Sequence, residues 1–385
     1  MASSKAQLHN DDEILESSLL HSWQAEQHKI ASQVVVPESS KYHATRISER
    51  YTYLSPYNNS NNNNGQTEGK KYLLIGGVDV SFPADDEANE DAVAVYVILR
   101  YETSSSDDDE HNNSSSIMLF THHQQPKVIY RSHKYFKLTT PYIPSYLAFR
   151  EIDPLIELIT QQCQTKPHLT PDVILVDGNG QWHDRYAGLA CFVGVRSGIP
   201  TVGVGKTFYS LDNEMKKDDV VRDVKRGVQC WYYGAAHHRK QEDCRGGLIV
   251  DNESIPYNKE MELEKQHTLT TTFEDVLIQL HQVSTGVAIP MRSGIHKNDK
   301  VLAYALIGHG GNTDTSSRSN SSSSVKKKKK ETARGSKNPI YVSCGSHISL
   351  LDAVSLVAWT SIVRIPEPIR EADLHGRQLL REKKK

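Results

Sequence analysis

The chain predicts an α/β protein built on one mixed sheet flanked by helices, and three observations carry that prediction. Apolar runs such as YLLIGGVDV, AVAVYVILRY and DVILVDG, bounded by turn residues, have the continuous hydrophobicity of strands buried on both faces. Other segments repeat their apolar residues at helical spacing. The order of elements also changes near residue 146, from strand following strand to strand alternating with helix, which requires crossover connections.

Taken in order, Asp11 to Val36 carries Ile14, Leu15, Leu19, Trp23 and Ile30 at helical spacing behind an acidic start, so an amphipathic helix is predicted. Tyr72–Ser81 and Ala92–Tyr101 are predicted strands, with Ile117–Thr121 and Pro126–Tyr130 as candidates for a third. Their connections favour an antiparallel meander. Tyr146–Thr160 then has helical period, Val173–Asp177 is a strand, Ala187–Ser197 a helix and Thr201–Val204 a strand. Further helices are expected over Thr272–Gln282 and Ser349–Val363, with a short strand at Ile340–Ser343. Three antiparallel strands followed by alternating helix and strand is the outline of a ribonuclease H-like sheet. Such an outline does not by itself assign a function.

The 385 residues include stretches too polar to offset their own ordering entropy. One domain over residues 11–375 is expected, with disordered or irregular insertions at 55–70, 103–116, 237–267 and 309–337. A formal net charge of −2 gives no global attraction for a polyanion and argues against non-specific nucleic-acid binding. Lys326–Lys330 reads either as a solvated charge run or as a nuclear address or nucleic-acid patch. Five cysteines in an odd, scattered set without C-x-x-C exclude a zinc ribbon and point to a reducing compartment. The amino terminus lacks an apolar signal core, and no apolar run is long enough to cross a membrane. An intracellular protein of the cytoplasm or nucleus, including the nucleolus, is expected.

Asp79 and Asp177 each end an apolar strand beside glycines, where an unpaired carboxylate is costly to desolvate. A hard divalent cation, Mg²⁺ or Mn²⁺, would relieve both costs. Glu151 follows an apolar stretch and could reach the same cleft from a helix, completing a triad suited to phosphoryl transfer. Each acid alone could instead cap a strand, open a turn or pair with a neighbour. Lys206 lies in GIPTVGVGKTF, which imitates a phosphate loop, but Pro200 occupies the position of the loop's first glycine. A point charge aimed into the crevice at the strand ends fits Lys206 better, with an exposed loop lysine as the alternative. PYIP is stiff and could present Tyr142 as a wedge against stacked bases, or merely pack it in a turn. His183 either contacts substrate or bonds within its loop.

Together VDVSF, PYIPSYLAFRE, VILVDGNGQWHDRYAGLACFVGV, GIPTVGVGKTF, NPIYVSCGSHISLLDAV and RIPEPIREAD resemble the endonuclease V family, inosine-directed nucleases. The resemblance spans nearly all the patterned sequence from Trp23 to Asp373. It implies a ribonuclease H-like fold, dependence on Mg²⁺ or Mn²⁺, and cleavage of the second phosphodiester bond 3′ to hypoxanthine, leaving a 5′-phosphate and a 3′-hydroxyl. The implied partner is single-stranded RNA, or deaminated DNA, containing inosine, bound by a monomer without any membrane. Asp79 and Asp177 match the family's metal aspartates, Glu151 its glutamate, Lys206 its catalytic lysine and Tyr142 its wedge. Pro144, Ser145, Leu147, Gly178 and His183 fall where the substrate would be gripped, with Ser145 in place of a glycine. In SCGSHIS, Ser346 stands where the family carries a histidine, with His347 one residue later, and Phe192 replaces another family histidine. One residue on a helix rotates a side chain by about 100°, so a protein that recognises inosine without cutting is the alternative reading.

Overall fold

The computed structural model describes residues 2–37, 72–83, 91–102, 126–140, 143–211, 217–218, 220, 286–292, 301–308 and 338–383. The predicted insertions, Tyr142, and the segments Ile117–Thr121 and Thr272–Gln282 lie outside these residues. Among the described residues an eight-stranded sheet has the order β3-β2-β1-β4-β5-β8-β7-β6. The strands are β1 (Tyr72–Ser81), β2 (Asp91–Glu102), β3 (Lys127–Lys137), β4 (Val173–Asp177), β5 (Thr201–Gly205), β6 (Gly286–Arg292), β7 (Val301–Gly308) and β8 (Ile340–Ser346). β1, β2 and β3 form the expected antiparallel meander, while β1, β4 and β5 are parallel. This is the ribonuclease H-like arrangement, extended past β5 by antiparallel β8, β7 and β6.

Helices cover both faces. On one face α1 (Ala2–Gln33), α2 (Ala148–Thr165) and α3 (Leu189–Ser197) bury Ile30, Ile152, Leu155 and Phe192 against Leu74, Tyr96, Ile98 and Ile174. On the other, α4 (Leu350–Thr360) and α5 (Glu367–Lys383) bury Leu356, Val357, Ile369 and Ala372 against Ile75, Val95, Val97 and Leu175. Burial on both sides is why the central strands lack polar alternation. α1 begins earlier than its apolar pattern, and β3 runs on to Lys137, well past Tyr130. α4 stops at Thr360, three residues before the expected end, and starts where the Ser349 hydroxyl accepts from the Asp352 amide at 3.2 Å.

β6, β7 and α5 were not anticipated from the sequence. Pro290 lies inside β6, and a proline lowers a segment's reading as a strand. It is tolerated here because β6 is the sheet's edge. α5 has its apolar residues spread thinly, but it lies directly on β1. A Cβ on Gly77 would clash with the carbonyl of Pro368 at the helix start, so only glycine permits this approach.

A carboxylate and lysine site at the ends of the parallel strands

β1 and β4 run parallel with Val78 beside Val176, so the next residues, Asp79 and Asp177, stand together at the carboxyl ends of their strands. Asp177 is in turn beside Val204 of β5, two residues before Lys206. This sheet end is where α/β proteins place their ligands. Lys206 Nζ lies 2.5 Å from Asp177 Oδ2 and 3.8 Å from Asp79 Oδ1, and the Ser81 hydroxyl donates to Asp79 Oδ2 at 3.2 Å. Asp79 is only 5% exposed, whereas the Asp177 and Lys206 side chains are partly open to solvent.

Burial raises the Asp79 pKa well above the carboxylate range, and Asp177 raises it further through a hydrogen bond and like charge, while Lys206 opposes them. Glu151, on the first turn of α2, is 4% exposed. Burial, followed by the charge on Asp177, pushes its pKa up to about 8. Burial would lower the Lys206 pKa, but attraction to Asp177 and Asp79 outweighs it, so its pKa is raised. One ammonium cannot neutralise two ionised carboxylates, so this corner carries net negative charge unless one acid keeps its proton.

Asp373 of α5 escaped the sequence reading. Its negative charge acts on both Asp79 and Lys206, and its Oδ1 accepts from Arg377 Nε at 2.9 Å. The available signal was RIPEPIREAD, where Asp373 closes a motif whose strand contact only the packing of Gly77 against Pro368 reveals. Arg364 of the same segment also went unassigned. Its guanidinium donates to the carbonyls of Asn338 and Pro339, each at 3.1 Å, and to that of Lys206, so it pins the backbone from which the lysine projects.

The PYIP side is held by a second group. Ser145 has φ +68, a strained value for a residue other than glycine. Its carbonyl accepts from Gln27 Nε2 of α1 at 2.7 Å and from Arg185, while its hydroxyl donates to Asp184 Oδ2 at 2.7 Å and pairs with Tyr209. His183 Nε2 is 3.0 Å from the same carbonyl, and its Nδ1 accepts from the Arg185 amide at 3.3 Å. Both ring nitrogens are thus engaged inside the protein, and burial lowers the His183 pKa to about 4, favouring the neutral ring. His183 is thus tied into the turn at Ser145. Pro144 and Leu147 are exposed on this turn, and Gly178, at φ +152, opens the loop after Asp177.

Ser346 and His347 do not join the site. Ser346 is opposite Thr201, at the start of β5, while Lys206 follows the end of that strand. The Ser346 hydroxyl accepts from the Val35 amide at 3.1 Å and the His347 amide donates to the Val35 carbonyl, so the pair secures the end of α1. Because β8 runs antiparallel to β5, the end of β8 points away from the carboxylates. Phe192 is fully buried, packed edge-on against Phe149. Among the described residues, no three His, Cys, Asp or Glu side chains form a ready cation cage. The chain brings Asp79 and Asp177 together beneath Lys206, with Glu151 close enough to feel Asp177.

No described helix is long and apolar enough to cross a membrane. The chain is 28% identical to human endonuclease V over 80% of its length and 72% of the human protein. It is also 28% identical to mouse endonuclease V, again over 80% of this chain but over only 60% of the mouse protein's length. The crystal structure of the human enzyme superposes with a TM-score of 0.55 at 23% identity, covering 95% of this chain and all of that one. A Ciona intestinalis endonuclease V, solved with a 24mer DNA containing an inosine followed by a ribo-adenosine, gives 0.54 at 22% identity, covering 95% and 99%. The sequence model of endonuclease V matches residues 102–245 and 304–374, more than half of the chain, and the chain belongs to the endonuclease V family.

Proposed function

We propose that this protein is a divalent-metal-dependent endonuclease that cuts the second phosphodiester bond 3′ to inosine in single-stranded RNA, and in deaminated DNA. The observation that carries the reading is the convergence of Asp79, Asp177 and Lys206 at adjacent strand ends, with Glu151 behind them. Two carboxylates and solvent are the donors Mg²⁺ commonly takes, its remaining positions going to water and substrate phosphate. All the acidic ligands are hard oxygens, so Asp79 and Asp177 would hold Mg²⁺ or Mn²⁺, with Glu151 and Asp373 beyond them. Bound there, the ion would supply an activated water and neutralise charge on the leaving oxygen.

The chain's own groups account for the rest. The Lys206 ammonium, kept charged by its neighbours and fixed through its backbone by Arg364, stabilises the attacked phosphate. Without the ion, burial and the charge on Asp177 put the Glu151 pKa at about 8, so Glu151 is a group that could take or give a proton at this site near neutrality. The products are a 5′-phosphate and a 3′-hydroxyl. Gln27, Arg185, Asp184 and Tyr209 hold the turn at Ser145, beside Pro144 and Leu147, and these residues, with Gly178 and Tyr142, would contact the substrate strand around the base. In a single strand the target base is already unpaired, which lowers the unstacking cost and favours RNA. The enzyme works as an intracellular monomer.

The reading of a binder that cannot cut rested on Ser346 and His347, which stand at the other end of β5. The test is cleavage of an inosine-containing RNA, its adenosine counterpart and matched deoxyinosine DNA, with Mg²⁺, Mn²⁺ or chelator. Cut inosine RNA bearing 5′-phosphate ends, abolished by chelator and by Asp79→Ala, is expected. Intact inosine strands in both metals, or cleavage surviving Asp79→Ala, would overturn the reading.

A further inference from the structure

Phe82 follows directly on β1, three residues beyond Asp79, and is 39% exposed. The Arg150 guanidinium lies over its ring, 5.1 Å from the centroid. Arg150 adjoins Glu151 on the first turn of α2, so a cation and an aromatic face meet on the two segments that carry site carboxylates. Leu147, 38% exposed, is three residues before Arg150 and borders the same surface. Exposed apolar side chains scattered singly need no explanation. Tyr135, the other large aromatic exposed among the described residues, is used within the fold, where its hydroxyl donates to the Leu379 carbonyl. Phe82 has no polar end to satisfy and stands at the edge of a site that must bind a flexible polyanion.

An unpaired nucleotide offers two complementary features, an apolar π face and a phosphate. Stacking on an aromatic ring suits any base, and an adjacent guanidinium suits the phosphate or caps the stack. We propose that Phe82 and Arg150 form a nucleotide step that seats one unpaired base of the substrate strand, together with its phosphate, beside the carboxylate site. The step rests on the nuclease reading above and adds a base contact separate from the PYIP turn. It is indifferent to base identity, so it contributes affinity and register while leaving inosine selection to the turn.

The experiment measures equilibrium binding, in chelator, of the full chain to an inosine-containing single strand and to copies made abasic at one flanking position at a time. With the native protein, one position is expected to cost about tenfold in affinity. Phe82→Ala should lose a similar factor on the intact strand and become insensitive to that position. Phe82→Trp should restore both the affinity and the positional penalty. Arg150→Gln should flatten the dependence of log affinity on log salt by about 0.7. An unchanged melting temperature in Phe82→Ala separates the contact from folding, and the Trp rescue keeps the test decisive if that variant is destabilised. If native protein cuts the inosine strand while Phe82→Ala binds it with an unchanged abasic profile, the step is wrong and the nuclease reading stands. If native protein neither binds nor cuts it, both fall.

Discussion

Glu151 holds its proton to about pH 8 because folding buries it beside Asp177, whereas an exposed glutamate titrates near 4.5. The folded state therefore binds more protons than the unfolded state between those limits. Its stabilising contribution is complete below about pH 4.5 and is lost as pH rises through 8. In metal-free protein, the unfolding free energy from denaturant titration should fall over that window by on the order of 5 kcal/mol from this group. Glu151→Gln should remove most of that slope, and a retained slope would show that Glu151 is not its source. His183 works in the opposite sense: its pKa is lowered to about 4, so stability should fall as pH drops from 6.5 towards 4. His183→Gln should blunt that acid limb in the same titration. Asp79, Asp177 and Lys206 were legible in the sequence because charged residues ending apolar strands need a reason. The direction of the His183 ring and the distance of Ser346 from the site were not legible, since both depend on which strand ends face each other.

At the scale of elements, α5 positions the site through backbone contact. Gly77, two residues before Asp79, meets Pro368 at the helix start, and Gly376, about two turns later on the same side of the helix, meets Ser81, whose hydroxyl bonds Asp79. Gly77→Ala must push the helix away or distort β1, and should cost about 3 kcal/mol by thermal or chemical unfolding. A variant as stable as the native chain would refute the close approach. α1 acts on the other side, where Trp23 stacks on Phe149 at 4.9 Å and Gln27 holds the Ser145 carbonyl. Trp23→Ala should cost about 3 kcal/mol and loosen the turn at Ser145, read as faster amide exchange at Ser145, Tyr146 and Leu147. The amphipathic part of α1 could be read from its periodicity. Its role as a brace could not, because Gln27 and Ser145 are 118 residues apart.

For the molecule as a whole, the two cores on either side of the sheet leave the carboxylates as the costly feature of the fold. Asp79 and Asp177 repel one another in a desolvated corner that Lys206 only partly neutralises. A divalent ion bound to the folded state alone should raise the melting temperature, with about 2.7 kcal/mol expected at one hundred times its dissociation constant. The shift with Mg²⁺ or Mn²⁺ should vanish in Asp177→Asn without any measurement of cleavage. A full shift in that variant would place the cation elsewhere.

The sequence by itself determined the α/β class, the antiparallel opening of the sheet, the parallel strands that follow, and the acids and lysine at their ends. It could do so because each rests on a local pattern: a continuous apolar run, a helical period, or a charge stranded beside glycines. The tertiary structure alone decided that β6 and β7 extend the sheet, that α5 brings Asp373 towards Asp79 and Lys206, and that Ser346 closes the opposite end. Those outcomes depend on register, strand direction and glycine-mediated approach between segments hundreds of residues apart, which no local pattern records.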